Sequence, residues 1–372
     1  MRYLGYISVF LCLGFLVFNY INIFLNFHIK KKWISYSLIL IIIAVGIIAL
    51  CTDPYEGDDL TRYFTMIDSF RLEGFNYIQQ FPYKHNIITT VLFYLISFTN
   101  NNNLLTYIST SIFYIVIFIY FRKIIKETDE SRYISLFFIM FASFIYLNQT
   151  ISSVRYSLSI AIFLLIFLYD NPKKLLYKLL YIIPILIHTA SIVLLLVIII
   201  TEVLTKYSKT KLLCNTLTLG IVLIPYIGLL ISNFFPSGIP FISDAFIRLR
   251  IYADPNFYLP FIDIRSTACS WVLFFIIIFL FYKFRKIIED NFGLYYTNLI
   301  KTLILLCLGL LPFPLITSRF LTVLYILSLP LFLTIKDLSK IQRYSIIFIL
   351  IIICLGMFAY RMVNAYHYWR FY

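Results

Sequence analysis

The sequence predicts an all-α, polytopic integral membrane protein, and three observations carry that prediction. Hydrophobic residues make up 62% of the 372-residue chain and charged residues only 13%, whereas a soluble domain is about a quarter charged. Apolar runs near 20 residues recur from end to end, the length that takes an α-helix, not a barrel strand, across a bilayer. Lysines gather in short polar gaps between those runs, as positive-inside bias requires of cytoplasmic loops. The net charge of +14 is therefore assigned to loop orientation and not to nucleic acid.

The elements follow in order. The first apolar run, 3–27, is too long for a signal peptide and lacks a small-residue cleavage site, so it is a span. HIKKK (28–32) behind it faces the cytoplasm. A second span, about 33–51, delivers an external loop of about 52–86. In that loop Leu60, Tyr63, Phe64, Ile67 and Phe70 keep helical spacing, which predicts an interfacial helix. The run 87–99 is short for a span and is read as dipping into the membrane and returning. Span 104–121 ends in the basic FRKIIKE, 132–147 leads outward to a polar break at 148–153, and 154–170 leads inward to NPKK.

The run 179–205 has lysine at both ends, Lys178 and Lys206. It is read as a tight helical hairpin turning near His188, with one tilted span as the rival. Further spans are expected at about 212–231, 266–282, 297–311, 315–335 and 344–363, with a second external loop at about 232–265. The prediction is one integral membrane domain, 1–372, of about 10–12 membrane segments including short or re-entrant helices. Cys12, Cys51, Cys214, Cys269, Cys307 and Cys354 are scattered through apolar runs without paired spacing, which reads as buried hydrophobes.

This topology sorts the cations by type. Lysines, Lys84 excepted, fall on the cytoplasmic side, while the external side is dominated by arginine. Positive-inside bias accepts either cation and does not explain an arginine-rich outer face. Arginine differs in its planar, permanently charged fork, which binds phosphate or carboxylate through two hydrogen bonds. Arg155, Arg319, Arg265 and the Arg248/Arg250 pair all border apolar runs. Such a cluster suits an anionic, membrane-embedded substrate such as a lipid-linked pyrophosphate; anchoring to lipid headgroups is the plainer alternative for any one residue.

Other candidate residues also carry two readings each. Asp58 and Arg62 are four apart, on one helical face, with Asp59 and Tyr63 beside them. They make either an N-cap with a surface ion pair, or a carboxylate that orients Arg62 or an acceptor sugar hydroxyl. His188 is either a satisfied core histidine or a general base or hydroxyl-positioning group at an external apex. Arg155, beside Ser152 and Ser153, is either a helix-end contact or a charge-stabilising group. No metal-ligand cluster, P-loop, GxSxG or dinucleotide fingerprint is present, so no metal or cofactor is expected.

These motifs occur in a fixed order: an external Asp-Asp-x-x-Arg-Tyr (58–63), Val-Arg-Tyr-Ser-Leu-Ser-Ile-Ala (154–161), and a Lys-Lys turn. Ile-x-x-His-Thr-Ala-Ser (185–191) and a late Ser-Arg-Phe-Leu (318–321) follow. The order resembles the EpsG-like branch of the bacterial Wzy-type O-antigen and capsule polymerases. It departs from that pattern at Tyr156, where the family often has Gln or Gly, and at Lys84-His85-Asn86, where Glu-Pro is common.

The resemblance implies a GT-C-like polymerase architecture in the bacterial inner membrane, with a multi-pass chain and an active site facing the periplasm. It implies glycosyl transfer in which a growing chain leaves one undecaprenyl pyrophosphate for the non-reducing-end hydroxyl of another lipid-linked repeat unit. The leaving group is already a pyrophosphate, so no cofactor is implied. Arg155 and Arg319 are then expected on the donor pyrophosphate, with Arg62, Tyr63, Arg248, Arg250 and Arg265 on donor or acceptor. His188, Asp58 or Asp59 is expected at the acceptor hydroxyl. A chain-length regulator and a flippase are implied partners. An O-antigen ligase-type glycosyltransferase and a polysaccharide flippase are the competing classes, and the one-sided placement of the cations disfavours transport.

Overall fold

A computed structural model describes residues 2–25, 31–54, 59–126, 147–169, 175–208, 210–232, 251, 254, 264–353 and 370–371. It is an all-α membrane protein whose chain divides into two compact units, Met1–Ile192 with Cys354–Tyr372, and Val193–Ile353.

The first unit opens with α1 (Arg2–Leu25) packed on α2 (Lys31–Cys51). Both are apolar and free of proline, so neither composition nor backbone interrupts them. α2 runs against α5 (Leu104–Lys126), which is long and apolar enough to cross a membrane. The two meet where α2 carries Gly46: a Cβ there would lie 3.0 Å from both Ser111 Oγ and Tyr107 Cε2. The last carbonyls of α2, orphaned by the helix end, are taken up by α5. Thr106 Oγ1 donates to Ala49 O at 2.7 Å and Asn103 Nδ2 to Leu50 O at 2.9 Å.

Between them in sequence comes α3 (Asp59–Glu73). It buries Leu60, Tyr63, Met66, Ile67 and Phe70 along one stripe, with Asp59 in its first turn and Arg71 in its last. Both charges complement the helix dipole. Gly74 ends the helix at φ +64°, a conformation that costs other residues a Cβ clash, and a 3-10 helix over Gly74–Gln79 follows. α4 (Ile87–Ser97) has 11 residues, a rise of about 16 Å, against a hydrocarbon core of about 30 Å. It is too short to cross, in keeping with the short dip expected at 87–99. Edge-on aromatic pairs hold this module together: Phe70 with Tyr77 at 5.0 Å and Tyr63 with Phe93 at 5.4 Å between centroids.

α6 (Leu147–Ser152) and α7 (Val154–Tyr169) continue the unit. The polar break expected at 148–153 is itself helical and narrows to Ser153 alone. α7 is buried on every face and packs on α5, so it is the central helix of the unit. Lys123 Nζ donates to Leu168 O near its C-terminal end. α8 (Leu175–Leu180) and α9 (Ile182–Ile187) lead to a break at His188, whose backbone is extended (φ −146°, ψ 119°). The break falls where the sequence places it and rules out one continuous helix over 179–205. The arm that follows, Thr189–Lys206, is long enough to cross a membrane by itself, which half of a tight hairpin does not need. The unit closes with a short antiparallel pair: β1 (Thr52–Asp53) with β2 (Arg370–Phe371), Thr52 opposite Phe371 and Asp53 opposite Arg370.

The second unit contains α10 (Ile192–Lys206), α11 (Lys211–Ser232), α12 (Ile264–Gly309), α13 (Pro314–Leu327), a 3-10 helix (Leu329–Asp337) and α14 (340–353). α12 covers the two segments expected at 266–282 and 297–311, which are two helices joined across a kink. Its backbone leaves helical angles at Phe284 and at Gly293 (φ +82°, ψ 163°), a setting that needs glycine. Gly309 closes on α11, since a Cβ there would meet Val222 O at 2.5 Å. Pro314 begins α13 at the helix position where its missing N–H costs nothing. α13 and the 3-10 helix after it are bent by 57° at Ser328, so the span expected at 315–335 is a broken one.

Candidate functional site

The first unit assembles a cationic aromatic site around Arg155. Its position is set by the Ser153 break, which starts α7 afresh and puts Arg155 in the first turn, where Ser157 N bonds back to Ser153 O at 3.0 Å. The side chain is 5% exposed. Its guanidinium carbon sits 3.4 Å from the centroid of the Tyr83 ring and 5.5 Å from that of Tyr63. Nε donates to Tyr63 Oη at 3.3 Å. Tyr83 and Tyr63 meet edge to face at 6.1 Å, so a rigid aromatic corner fixes the plane of the fork.

Among the described residues no carboxylate pairs with Arg155 and no hydrogen bond from its terminal nitrogens is formed. A buried cation in that condition is costly unless an anion arrives. Its donors are therefore poised for one.

Arg62 supplies a second cation on the same corner, 5.7 Å from the Tyr63 centroid and 5.8 Å from that of Tyr83. It pairs with Asp59 at 2.6 Å, both side chains about half exposed. This is an i,i+3 pair; Asp58, the i,i+4 partner expected from the sequence, lies outside the described residues. Burial works to lower the Arg62 pKa, but nearby Tyr83, Asp59 and Tyr63 outweigh it, and the net direction is upward. Burial raises the Tyr83 pKa, and the Arg155 guanidinium offsets only part of that. Tyr83 therefore stays a neutral phenol, a π face and not a counter-ion for Arg155.

His188 adjoins the corner through the residue next to Arg155: its ring lies edge-on to Tyr156 with centroids 5.5 Å apart. Three hydrogen bonds hold the break around it. Thr89 Oγ1 donates to Ile187 O at 2.8 Å, Ser159 Oγ donates to Pro184 O at 3.1 Å, and Ser159 and Ser191 hydroxyls bond to each other. His188 Nδ1 accepts from Ala190 N at 3.2 Å. In the neutral ring that network assigns the proton to Nε2. Nε2 is then a donor, which suits positioning an oxygen better than removing a proton from it.

The other expected residues fall elsewhere. Arg319 is half-buried on the second turn of α13, in the second unit. Arg265 lies in the first turn of α12. Arg248 and Arg250 lie outside the described residues. Tyr83 and Tyr156 were not singled out for the site from the sequence. The one available signal for Tyr83 was an external Pro-Tyr just ahead of an apolar run. Among the described residues, no group of three His, Cys, Asp or Glu side chains is arranged to hold a metal ion.

The corner, then, is a fixed arginine without a carboxylate partner among the described residues, a second arginine with its carboxylate, and a histidine set against Tyr156. The family model described as the EpsG family matches residues 75–372, which takes in Tyr83, Arg155, His188 and Arg319 but not α3. No curated protein and no solved structure matches the chain.

Proposed function

This chain belongs to the EpsG family of polysaccharide-biosynthesis membrane proteins, and from that premise we propose that it polymerises lipid-linked oligosaccharide repeat units. In this reading the growing chain leaves one undecaprenyl pyrophosphate and joins the non-reducing-end hydroxyl of an incoming lipid-linked repeat on the periplasmic face. The bond from the anomeric carbon to the pyrophosphate oxygen breaks, and the pyrophosphate leaves with the electron pair. The acceptor hydroxyl oxygen forms the new bond and gives up its proton.

The observation that carries the proposal is Arg155: a buried fork, stacked on Tyr83, with no carboxylate partner among the described residues. Negative charge builds on the departing pyrophosphate, and prearranged donors in a water-poor site stabilise such charge strongly. Arg62 adds a second cation beside it. Asp59, an exposed carboxylate next to Arg62, is assigned the acceptor proton, with Asp58 beside it in sequence. His188, beside Tyr156, is assigned the positioning or activation of the acceptor hydroxyl. Arg319, Arg248, Arg250 and Arg265 are assigned to the phosphates of the two lipid carriers.

The test is a surface-polysaccharide gel of a host lacking this gene, complemented with wild type, Arg155→Ala or His188→Ala. The proposal expects a single-repeat band in the null host and a ladder restored by wild type. It expects no ladder from Arg155→Ala expressed at the wild-type level. Loss of the single-repeat band itself in the null host points instead to ligation or flipping. A full ladder from both variants removes the site assignment.

A further inference from the structure

α3 carries a second stripe of polar and aromatic side chains that the reaction above does not use. Phe64, Asp68 and Arg71 are spaced i, i+4 and i+7 and so share a helix face, distinct from that of Asp59, Arg62 and Tyr63. Phe64 and Arg71 line a cavity of about 320 Å³ together with Leu50 and the consecutive asparagines Asn100–Asn103. Ligand pockets start near about 300 Å³, so this one takes a single ring, not a lipid tail or a long oligosaccharide.

Its chemistry differs from that of the Arg155 corner. Arg71 is neutralised by Asp68. It also donates to Ser97 O at 3.2 Å, to Thr99 O at 2.7 Å and to Asn102 Oδ1 at 2.7 Å. Asn102 Nδ2 returns to Asp68 Oδ1 at 3.0 Å. Four of the five guanidinium N–H groups are engaged and its charge is met, so it does not call for an anion. Asn101 Oδ1 accepts from Asn103 N at 3.0 Å, and Asn103 Nδ2 donates to Leu50 O, which makes the asparagine run rigid. Asn103, 7% exposed, keeps a buried Oδ1 with no hydrogen bond.

The cavity is thus walled by amides, a group that both donates and accepts, with the Asn100 side chain outside the Arg71 network, beside the Phe64 ring and Leu50. That lining matches a ligand with an apolar ring face and neighbouring hydroxyls that also donate and accept. We propose that this pocket binds one neutral sugar residue of the lipid-linked oligosaccharide, apart from the pyrophosphate held at Arg155. The assignment of the sugar to that substrate rests on the polymerase reading.

Asn100 is the residue to change, because it lines the cavity and is exposed, and no bond of the Arg71 network runs through its side chain. Full-length protein in lipid nanodiscs is titrated calorimetrically with the host's repeat-unit oligosaccharide, released from its carrier and so lacking pyrophosphate. Wild type is expected to bind. Asn100→Ala should weaken binding by about tenfold, the size of one lost polar contact. Asn100→Trp, which fills the cavity, should abolish it, and Arg155→Ala should leave it unchanged. Equal affinity for wild type and both Asn100 variants overturns the proposal, as does an absence of binding to wild type. Asn100-dependent binding in a protein that restores no ladder keeps the sugar pocket and removes the polymerase reading. A restored ladder with Asn100-independent binding removes the pocket alone.

Discussion

Replacing Arg155 by lysine keeps the charge and removes the shape. The guanidinium carbon lies 3.4 Å from the Tyr83 centroid, and Nε bonds Tyr63 Oη at 3.3 Å. A lysine ammonium can reproduce neither the stacked plane nor the fork. Stacking of a desolvated cation on an aromatic ring is worth about 1–2 kcal/mol, and the hydrogen bond about 1 kcal/mol net. If that orientation is expressed in the transition state, kcat/KM for Arg155→Lys falls by about 30- to 150-fold. Arg155→Ala, which also loses the charge on the leaving group, should fall by about a thousandfold or more. Tyr83→Phe keeps the ring and should stay close to wild type, whereas Tyr83→Leu should resemble Arg155→Lys. The assay is the initial rate of polymer formation in membrane vesicles supplied with lipid-linked repeat, normalised to protein amount. Arg155→Lys within about threefold of wild type, a difference of under 1 kcal/mol, would refute the stacked fork as the working element. Equal losses for Lys and Ala would refute the charge argument.

Three further outcomes follow from the same geometry. Asp59→Asn breaks an exposed ion pair worth about 0–1 kcal/mol, so thermal stability should hardly change. If Asp59 takes the acceptor proton, the rate should nevertheless fall by about a hundredfold or more, and an unchanged rate removes it from that role. Thr89→Val leaves the Ile187 carbonyl without its buried donor and should cost about 1–3 kcal/mol. The effect is read as a lower melting temperature in detergent, with a rate lost in step with that of His188→Ala. Gly309→Ala drives a methyl group against the Val222 carbonyl of α11 and should cost about 1–3 kcal/mol by overpacking. It is measured as reduced yield of folded protein on size-exclusion chromatography, and Gly14→Ala, with open space around it, is the control.

The parts of this protein that follow a period were legible in its sequence. The stripe from Leu60 to Phe70 gave away α3, and the apolar lengths of α5 and α11 gave their ends to within a few residues. Arg155 and His188 stood out because a charged or titratable group in an apolar helix is rare enough to be informative. Tyr83 did not, because with 31 tyrosines and 38 phenylalanines in the chain any single ring says little. Its stacking on Arg155 is a contact between a loop and a helix far along the chain, which no local pattern encodes. The Asp59–Arg62 pair shows the limit of spacing arguments: both i,i+3 and i,i+4 partners share a helix face, and Asp58 and Asp59 were both in reach. The break expected between 282 and 297 falls at Phe284 and Gly293, of which only the glycine could be marked in the sequence. The Asn100–Asn103 run carries no site signal in the sequence, since asparagine is common in turns. That the same residues wall a cavity with Phe64 and Arg71 depends on how α3 is tied to the turn between α4 and α5.

The two-residue ribbon between Thr52–Asp53 and Arg370–Phe371 has a bearing on how the protein can be handled. It fastens the tail beside the end of α2, so the middle of the chain, Val193–Ile353, is inserted into a unit that both ends help to build. The orientation expected from the sequence, with HIKKK cytoplasmic and α2 leading outward, would put that ribbon on the opposite face. A fluorescent protein that matures only in the cytoplasm should stay dark when fused after Tyr372, while alkaline phosphatase at the same place should be active. Joining the tail to the head through a short flexible linker, and reopening the chain in the Lys206–Lys211 turn, should give a permuted protein that still assembles.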